Sequence, residues 1–162
     1  AALSLTTGGF LWEVTAPGVL AAISDQMLLL SDLQTVTAAD ARTGHIMWQA
    51  PLNFEGKPSG YPTSVAWATP DVTAVIGSYQ GEVLALNSAN GTALWHVTFS
   101  GYTPDRLVTE HGIVIVTLLP PPESSTPARL AALSAKTGAV YWERDVPDTF
   151  MFLAQVSATN AS

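Results

Sequence analysis

The sequence predicts an all-β protein, a partial β-propeller of about four blades in which each blade is a four-stranded antiparallel sheet. Three observations lead to this fold class: a tryptophan-containing phrase that recurs four times, short apolar runs with the composition of β-strands, and the length of the repeat. The four tryptophans are 36, 47 and 47 residues apart. A four-stranded propeller blade takes roughly 40 to 45 residues, which agrees with this spacing.

Every recurrence combines a tryptophan with small or turn-forming residues at fixed distances before it. Alanine lies ten residues before the tryptophan, a small polar residue eight before, threonine or asparagine five before and glycine four before. Such agreement in four copies is not expected by chance, so we assign these residues a structural role in the repeat. They are Ala2, Ser4, Gly8 and Trp12; Ala38, Asp40, Thr43, Gly44 and Trp48; Ala85, Asn87, Gly91 and Trp95; and Ala132, Ser134, Thr137, Gly138 and Trp142.

Each phrase predicts a β-hairpin. The small polar residue, Asp40 in the second copy, accepts backbone N–H groups at the head of a type I turn. The glycine that follows supplies the left-handed residue that closes a four-residue loop. If Asp40 pairs with His45 across that loop, regular pairing places Trp48 opposite Thr37. Both faces of the hairpin are then largely apolar, which is typical of a sheet packed between two others.

Two further strand-like runs precede each hairpin and complete four strands per blade. In the repeat that ends at Trp95 they cover residues 64–68 and 72–76, separated by a turn that contains proline. The whole chain is predicted to be a single propeller segment. Its predicted divisions are a partial blade at 1–15, full blades at 16–50, 51–97 and 98–144, and a partial blade at 145–162.

Residues 38–48, Ala-Ala-Asp-Ala-Arg-Thr-Gly-His-Ile-Met-Trp, contain the phrase in full. This stretch resembles the tryptophan-docking motif of the PQQ-like (quinoprotein alcohol dehydrogenase-like) β-propeller family. In that family the tryptophan wedges between adjacent blades, and the alanine permits close contact between sheets. The resemblance covers most of the chain, although the other three copies depart from the motif at the polar positions.

The resemblance implies two functions. The leading hypothesis is a non-catalytic binding scaffold or sensor module of the bacterial cell envelope, in an extracytoplasmic or periplasmic location, with protein partners and no cofactor. The alternative is a fragment of a quinoprotein dehydrogenase that depends on pyrroloquinoline quinone (PQQ) and calcium. Those enzymes commonly carry an adjacent pair of cysteines near the cofactor, and this chain has no cysteine. Enzymatic activity is therefore not the favoured hypothesis.

The composition excludes some classes of function. Only 12% of the residues are charged, and the formal net charge is −7, so the chain would repel nucleic acid rather than bind it. The apolar runs are far shorter than the roughly 20 residues that a membrane-spanning helix needs. We therefore expect neither a nucleic-acid partner nor a transmembrane segment in this chain.

No residue is predicted to act in catalysis, cofactor binding or metal binding. The three histidines, His45, His96 and His111, have no ligand spacing between them, so isolated positions are favoured over a metal site. The acidic residues of 143–145 suggest a calcium-like site, but a solvated strand end explains them better.

Two insertions are candidate sites of protein contact. The proline-rich stretch 119–127 is interpreted as a hairpin insertion, with a polyproline ligand as the alternative. Phe54 and Tyr61, in the insertion at 53–62, are the predicted contact surface.

The number of repeats is smaller than a propeller ring requires. A ring of seven or eight blades takes roughly 300 to 380 residues at this repeat length, and the chain has 162. We therefore expect a partial propeller cut from a larger protein, whose open ends favour self-association because they expose apolar faces. The alternative is a closed ring of four blades in which the N- and C-terminal strands share one blade.

Overall fold

The structure is a computed structural model that describes residues 2–4, 6–15, 19–23, 26–32, 34–54, 57–58, 62–67, 74–78 and 80–146. All regular secondary structure in these residues is β-strand. The strands form three four-stranded sheets and two two-stranded hairpins. No helix in these ranges is long and apolar enough to cross a membrane.

We name the sheets by their order in the chain. The N-terminal hairpin contains β1 (Ala2–Leu3) and β2 (Phe10–Trp12). The first blade contains β3 (Val19–Ile23), β4 (Met27–Ser31), β5 (Thr35–Asp40) and β6 (Ile46–Pro51), and a short hairpin of β7 (Asn53–Phe54) and β8 (Lys57–Pro58) follows it. The second blade contains β9 (Pro62–Trp67), β10 (Ala74–Ser78), β11 (Glu82–Leu86) and β12 (Ala93–Thr98). The third blade contains β13 (Thr103–Glu110), β14 (Ile113–Leu119), β15 (Ala128–Ser134) and β16 (Val140–Val146).

Each blade is an antiparallel meander in which consecutive strands are hydrogen-bonded neighbours. The first strands of the blades lie side by side, because β9 packs against both β3 and β13. The fourth strand of each blade is an outer edge of its sheet. This radial arrangement is that of a propeller, and the predicted all-β fold with four-stranded antiparallel blades is confirmed.

The blades are held together by two apolar clusters, one on each face of the second blade. Strand β11 is buried along its whole length. Its residues Leu84 and Leu86 pack with the first blade, and its residues Val83 and Ala85 pack with the third. Because side chains alternate between the two faces of a strand, a strand that is apolar on both faces, as β11 is after Glu82, is what a sheet packed between two others requires.

Candidate functional site

The hairpin loops of the repeat are built on one hydrogen-bonding pattern. In the first blade the amide of Asp40 donates to the carbonyl of His45 (2.9 Å), and the amide of Gly44 donates to the carbonyl of Asp40 (2.9 Å). Oδ1 of Asp40 accepts the amides of Arg42 (2.9 Å) and Thr43 (2.8 Å) and the hydroxyl of Thr43 (2.8 Å). Gly44 has a φ of 72°, which a residue without a Cβ adopts without strain.

The other three copies repeat this backbone pattern with different side chains. The amides of Gly8, Gly91 and Gly138 each donate to the carbonyl of the small polar residue four positions earlier, at 2.8 Å. Oδ1 of Asn87 accepts the amide of Ala89 (2.8 Å). The hydroxyls of Ser4 and Ser134 accept the amides of Thr7 and Thr137, respectively.

The hydrogen bonds around Asp40 predict a dependence of stability on pH. The hydroxyl of Thr43, followed by the amides of Thr43 and Arg42, lowers the pKa of Asp40 below its ordinary value of 3.8. A carboxylate whose pKa is lower in the folded state stabilises the protein above its ordinary pKa, and this contribution is lost as the pH falls through the folded-state pKa. We expect the difference in unfolding free energy between wild type and Asp40→Asn to be constant above about pH 5 and to change progressively below 3.8.

Denaturant unfolding at a series of pH values would measure this difference. Asn87→Asp is the matched control, because it puts a carboxylate at the same position of the next repeat. That variant should acquire the pH dependence that Asp40→Asn loses. If the free energies of unfolding of all three proteins changed with pH in the same way, the role of Asp40 would be contradicted.

The tryptophan of each hairpin lies opposite the alanine of the same phrase. Trp48 is paired with Ala38, and Trp12, Trp95 and Trp142 are likewise paired with the alanine ten residues earlier. The expectation that Trp48 lies opposite Thr37 is therefore wrong. A β-bulge at Met47 shifts the register by one residue. Ala39 is paired with Ile46, as regular pairing predicts, but Ala38 is paired with Trp48, so Met47 is the extra residue between the two pairs. The bulge makes alanine the direct neighbour of the indole.

Each tryptophan packs on the hairpin loop of the next repeat. A Cβ built on Gly91 would lie 2.5 Å from Cε3 of Trp48, and one built on Gly138 would lie 2.7 Å from Cε3 of Trp95. Trp12 covers Gly44 in the same way. Nε1 of Trp48 donates to the carbonyl of Ser88 (2.7 Å), and Nε1 of Trp95 donates to that of Ala135 (2.9 Å). We call the hairpin loop that contains the glycine and the carbonyl that accepts the indole N–H the docking seat.

The bulged residue of every repeat is apolar and exposed to solvent. These side chains immediately precede the tryptophans on the outer strands, and each is between 41% and 59% exposed. Isolated exposed apolar residues are common on proteins, but here the same position is exposed in all four copies. We call the set Leu11, Met47, Leu94 and Tyr141 the bulge row. The bulge row was not predicted from the sequence, because a regular register from Asp40 and His45 contains no bulge.

The predicted contact surface falls largely outside the described structure. Phe54 lies in β7, and its side chain is outside the described residues. Tyr61 is outside them entirely. A contact role for these two aromatics therefore stays a prediction.

The histidines lie in three different elements of the fold. His45 is exposed in the loop of the first blade. Nε2 of His96 lies 3.4 Å from Oε1 of Glu82, and Nδ1 of His111 lies 3.5 Å from Oε1 of Glu110. Glu82 is buried within a strand that is otherwise apolar. Its pairing with His96 was not predicted, because the two residues meet diagonally across neighbouring strands.

The acidic residues near the end of the third blade bind an arginine. Nη1 of Arg129 donates to Oε2 of Glu143 (2.8 Å), and its Nε donates to Oδ1 of Asp145 (2.9 Å). Calcium takes six to eight converging oxygens, whereas these carboxylates converge on a guanidinium. Within the described ranges no three His, Cys, Asp or Glu residues are grouped so that they could hold a metal ion. The residues therefore do not fit the calcium of a quinone site.

The proline-rich insertion forms a turn between β14 and β15. The amide of Ser124 donates to the carbonyl of Pro121 (3.1 Å), and Glu123 has a φ of 65°. A polyproline II helix has no internal hydrogen bonds, so this part of the insertion has the conformation of a hairpin loop rather than that of an extended ligand.

Comparison with known proteins identifies relatives with the same repeat. The family model described as outer membrane protein assembly factor BamB matches residues 1–102 and 79–158. The outer membrane protein assembly factor BamB of Yersinia pestis is 27% identical over 127 residues, which are 76% of this chain and 30% of that protein. The chain thus spans less than a third of the length of this curated relative.

Solved structures show the same fold at low identity. BamB from Moraxella catarrhalis matches with a TM-score of 0.65 and 20% identity, over 86% of this chain and 41% of that chain. The quinohemoprotein alcohol dehydrogenase from Comamonas testosteroni matches with a TM-score of 0.62 and 22% identity, over 79% of this chain and 21% of that chain. The predicted resemblance to the PQQ-like propeller family is confirmed.

Proposed function

Because the chain belongs to the family described as outer membrane protein assembly factor BamB, we propose that it is a non-catalytic binding scaffold that takes part in the assembly of outer membrane proteins. The predicted extracytoplasmic or periplasmic location agrees with this family. The partners of the chain are then proteins of the cell envelope. A scaffold binds such partners through an exposed surface that several of their segments can share.

The bulge row is the observation that carries this proposal. Its four members lie on β2, β6, β12 and β16, and each of these strands is at the edge of its sheet. An edge strand accepts a further strand through its backbone, while neighbouring apolar side chains provide specificity. The strands of outer-membrane barrels alternate between apolar and polar residues. We propose that such strands, before they insert, bind beside the bulge row.

The dehydrogenase alternative has weaker support. The quinohemoprotein dehydrogenase matches in sequence at only 22% identity and is therefore evidence for the fold alone. Glu143 and Asp145, the acidic candidates for calcium, are paired with Arg129. We therefore propose no resident cofactor, neither PQQ nor calcium, for this chain.

Binding of a labelled peptide tests the scaffold proposal. The probe is a fluorescein-labelled peptide of about ten residues with the alternating pattern of an outer-membrane β-strand. The double variant Met47→Glu, Leu94→Glu should bind it at least about tenfold more weakly than wild type, because burial of an apolar side chain contributes about 1.5–3 kcal/mol when complete. Fluorescence anisotropy measures the affinity.

The matched control is Ser100→Glu, Ser125→Glu, which adds the same two charges at exposed positions in the turns at the opposite ends of the strands from the bulge row. This control should bind the peptide as wild type does. An equal loss in both double variants would assign the effect to net charge, and the absence of binding to wild type would reject the proposal.

A further inference from the structure

The bulge row contains one side chain that can be modified chemically and then restored. Met47, on the outer strand of the first blade, is 49% exposed. Oxidation of its thioether to a sulfoxide converts a flexible apolar side chain into a polar one, and enzymes exist that reverse the reaction. The chain has no cysteine, so its sulfur chemistry is confined to methionine. Leu11 and Leu94, the hydrocarbon members of the bulge row, have no comparable reaction.

The other methionine in the described ranges has a different environment. Met27, at the start of β4, is partly buried and packs against the apolar cluster between the first and second blades. Met151, the third methionine of the chain, lies outside the described residues. Because Met27 and Met47 belong to the same sheet, they differ in exposure and not in the blade that holds them. An oxidant in solution therefore reaches the sulfur of Met47 more readily than that of Met27.

The position of Met47 in its strand allows the sulfoxide to form without disturbing the fold. Met47 is the extra residue of the bulge, and no residue of β5 is paired with it. The next residue, Trp48, is 8% exposed and covers Gly91 in the docking seat of the following repeat. A polar oxygen added to Met47 therefore remains in contact with solvent and leaves the junction between the blades in place.

We infer that Met47 is a redox-sensitive modification site, at which a peroxide forms a sulfoxide and thereby weakens the binding of apolar segments to the bulge row. An electron pair of the sulfur attacks one oxygen of hydrogen peroxide, so that an S–O bond forms and the O–O bond breaks. The departing hydroxide takes the proton of the transferred hydroxyl and leaves as water. The sulfur is oxidised by two electrons, and the peroxide is reduced. The effect on binding rests on the proposed function, whereas the selectivity of oxidation does not.

Peptide mass spectrometry tests the site itself. The chain is treated with hydrogen peroxide and then digested with trypsin, which cleaves after Arg42 and so separates Met27 from Met47. In the folded chain the peptide with Met47 should gain one oxygen atom several times faster than the peptide with Met27. In urea the two rates should become equal, because both thioethers are then in solvent. Equal rates in the folded chain would overturn the inference.

Fluorescence anisotropy tests the effect on the bulge row. The probe is the fluorescein-labelled peptide with the alternating pattern of an outer-membrane β-strand, in a version without methionine. After removal of the peroxide, the oxidised chain should bind it at least about threefold more weakly than the untreated chain, since a polar group replaces one apolar contact. A methionine sulfoxide reductase with dithiothreitol should restore the affinity, because the dithiol supplies two electrons and the oxygen leaves as water.

Two leucine variants show which methionine is responsible. Met47→Leu cannot form a sulfoxide at the bulge, so its affinity after peroxide treatment should equal that of its own untreated sample. Met27→Leu is the matched control, because it removes the half-buried methionine at little cost in packing, and peroxide should weaken its binding as it does in wild type. The urea midpoint of the oxidised wild type should equal that of the untreated chain.

The outcomes separate this inference from the proposed function. Unchanged affinity after selective oxidation of Met47 would overturn the inference, and so would an equal loss of affinity in peroxide-treated Met47→Leu. A lower urea midpoint of the oxidised chain would assign the loss to the fold and would overturn it as well. Absence of binding to the untreated chain would reject the proposed function and the regulation that rests on it, while the mass measurement would still decide whether Met47 is the site of oxidation.

Discussion

Replacing Trp48 with alanine should lower the free energy of unfolding by about 3–5 kcal/mol, the usual cost of removing a buried tryptophan. The indole is 8% exposed and belongs to the apolar cluster between the first and second blades. Its Nε1 also donates to the carbonyl of Ser88 (2.7 Å), which would lose this partner. Equilibrium unfolding in urea, followed by circular dichroism, measures the change.

An exposed aromatic residue on the fourth strand of another blade provides the control for Trp48→Ala. Tyr141→Ala removes a side chain that is 59% exposed in the third blade, and it should change the free energy of unfolding by less than about 1 kcal/mol. Both variants should be compared at one protein concentration, because the self-association expected of open propeller ends would add to the stability of each. A loss for Trp48→Ala as small as that for Tyr141→Ala would mean that docking does not stabilise the blades.

Gly91→Ala should destabilise the protein by about 2–5 kcal/mol. Its φ of 72° is left-handed, which costs about 1–2 kcal/mol for a residue with a Cβ. The new Cβ would also lie 2.5 Å from Cε3 of Trp48, and overpacking of this kind costs about 1–3 kcal/mol. Thermal or urea unfolding measures the total change in the free energy of unfolding.

A matched glycine separates the backbone cost from the clash. Gly112→Ala puts a Cβ on a glycine with a φ of 78° that has open space around it in the described structure, so this variant should lose only about 1–2 kcal/mol. In a Trp48→Ala background, the cost of Gly91→Ala should fall to that of Gly112→Ala, because the indole is gone. If the cost stays the same in both backgrounds, the seat and the indole are not coupled.

The fold could be predicted because its determinants are local and repeated. The position of glycine four residues before tryptophan predicts the left-handed closure of the loop at Gly44, and the structure has it there. The apolar composition of β11 predicts a sheet covered on both faces, which the two clusters show. Both features follow from a few neighbouring residues, so they can be recognised without knowledge of the rest of the chain.

The candidate surface could not be predicted, because it depends on one extra residue in a strand. Counting from the pair of Asp40 and His45 assumes regular pairing, and the bulge at Met47 ends that regularity. The same shift exposes Met47 and aligns Trp48 with Ala38. The diagonal contact of Glu82 with His96 likewise depends on the register of two strands. The predicted blade boundaries and the contact role of Phe54 and Tyr61 stay predictions.

The docking seats also determine how the free energy of folding is distributed along the molecule. Each seat joins only two consecutive repeats, through one indole and one glycine loop. The energetics are therefore those of a one-dimensional array of units coupled to their nearest neighbours. Loss of the contact at Trp48 would therefore weaken the coupling between the first two blades, which their shared apolar cluster maintains in part, without weakening the junction at Trp95. Residues outside the seats and the two apolar clusters are less constrained, and an identity of 27% to the Yersinia pestis protein is compatible with retention of the same repeat.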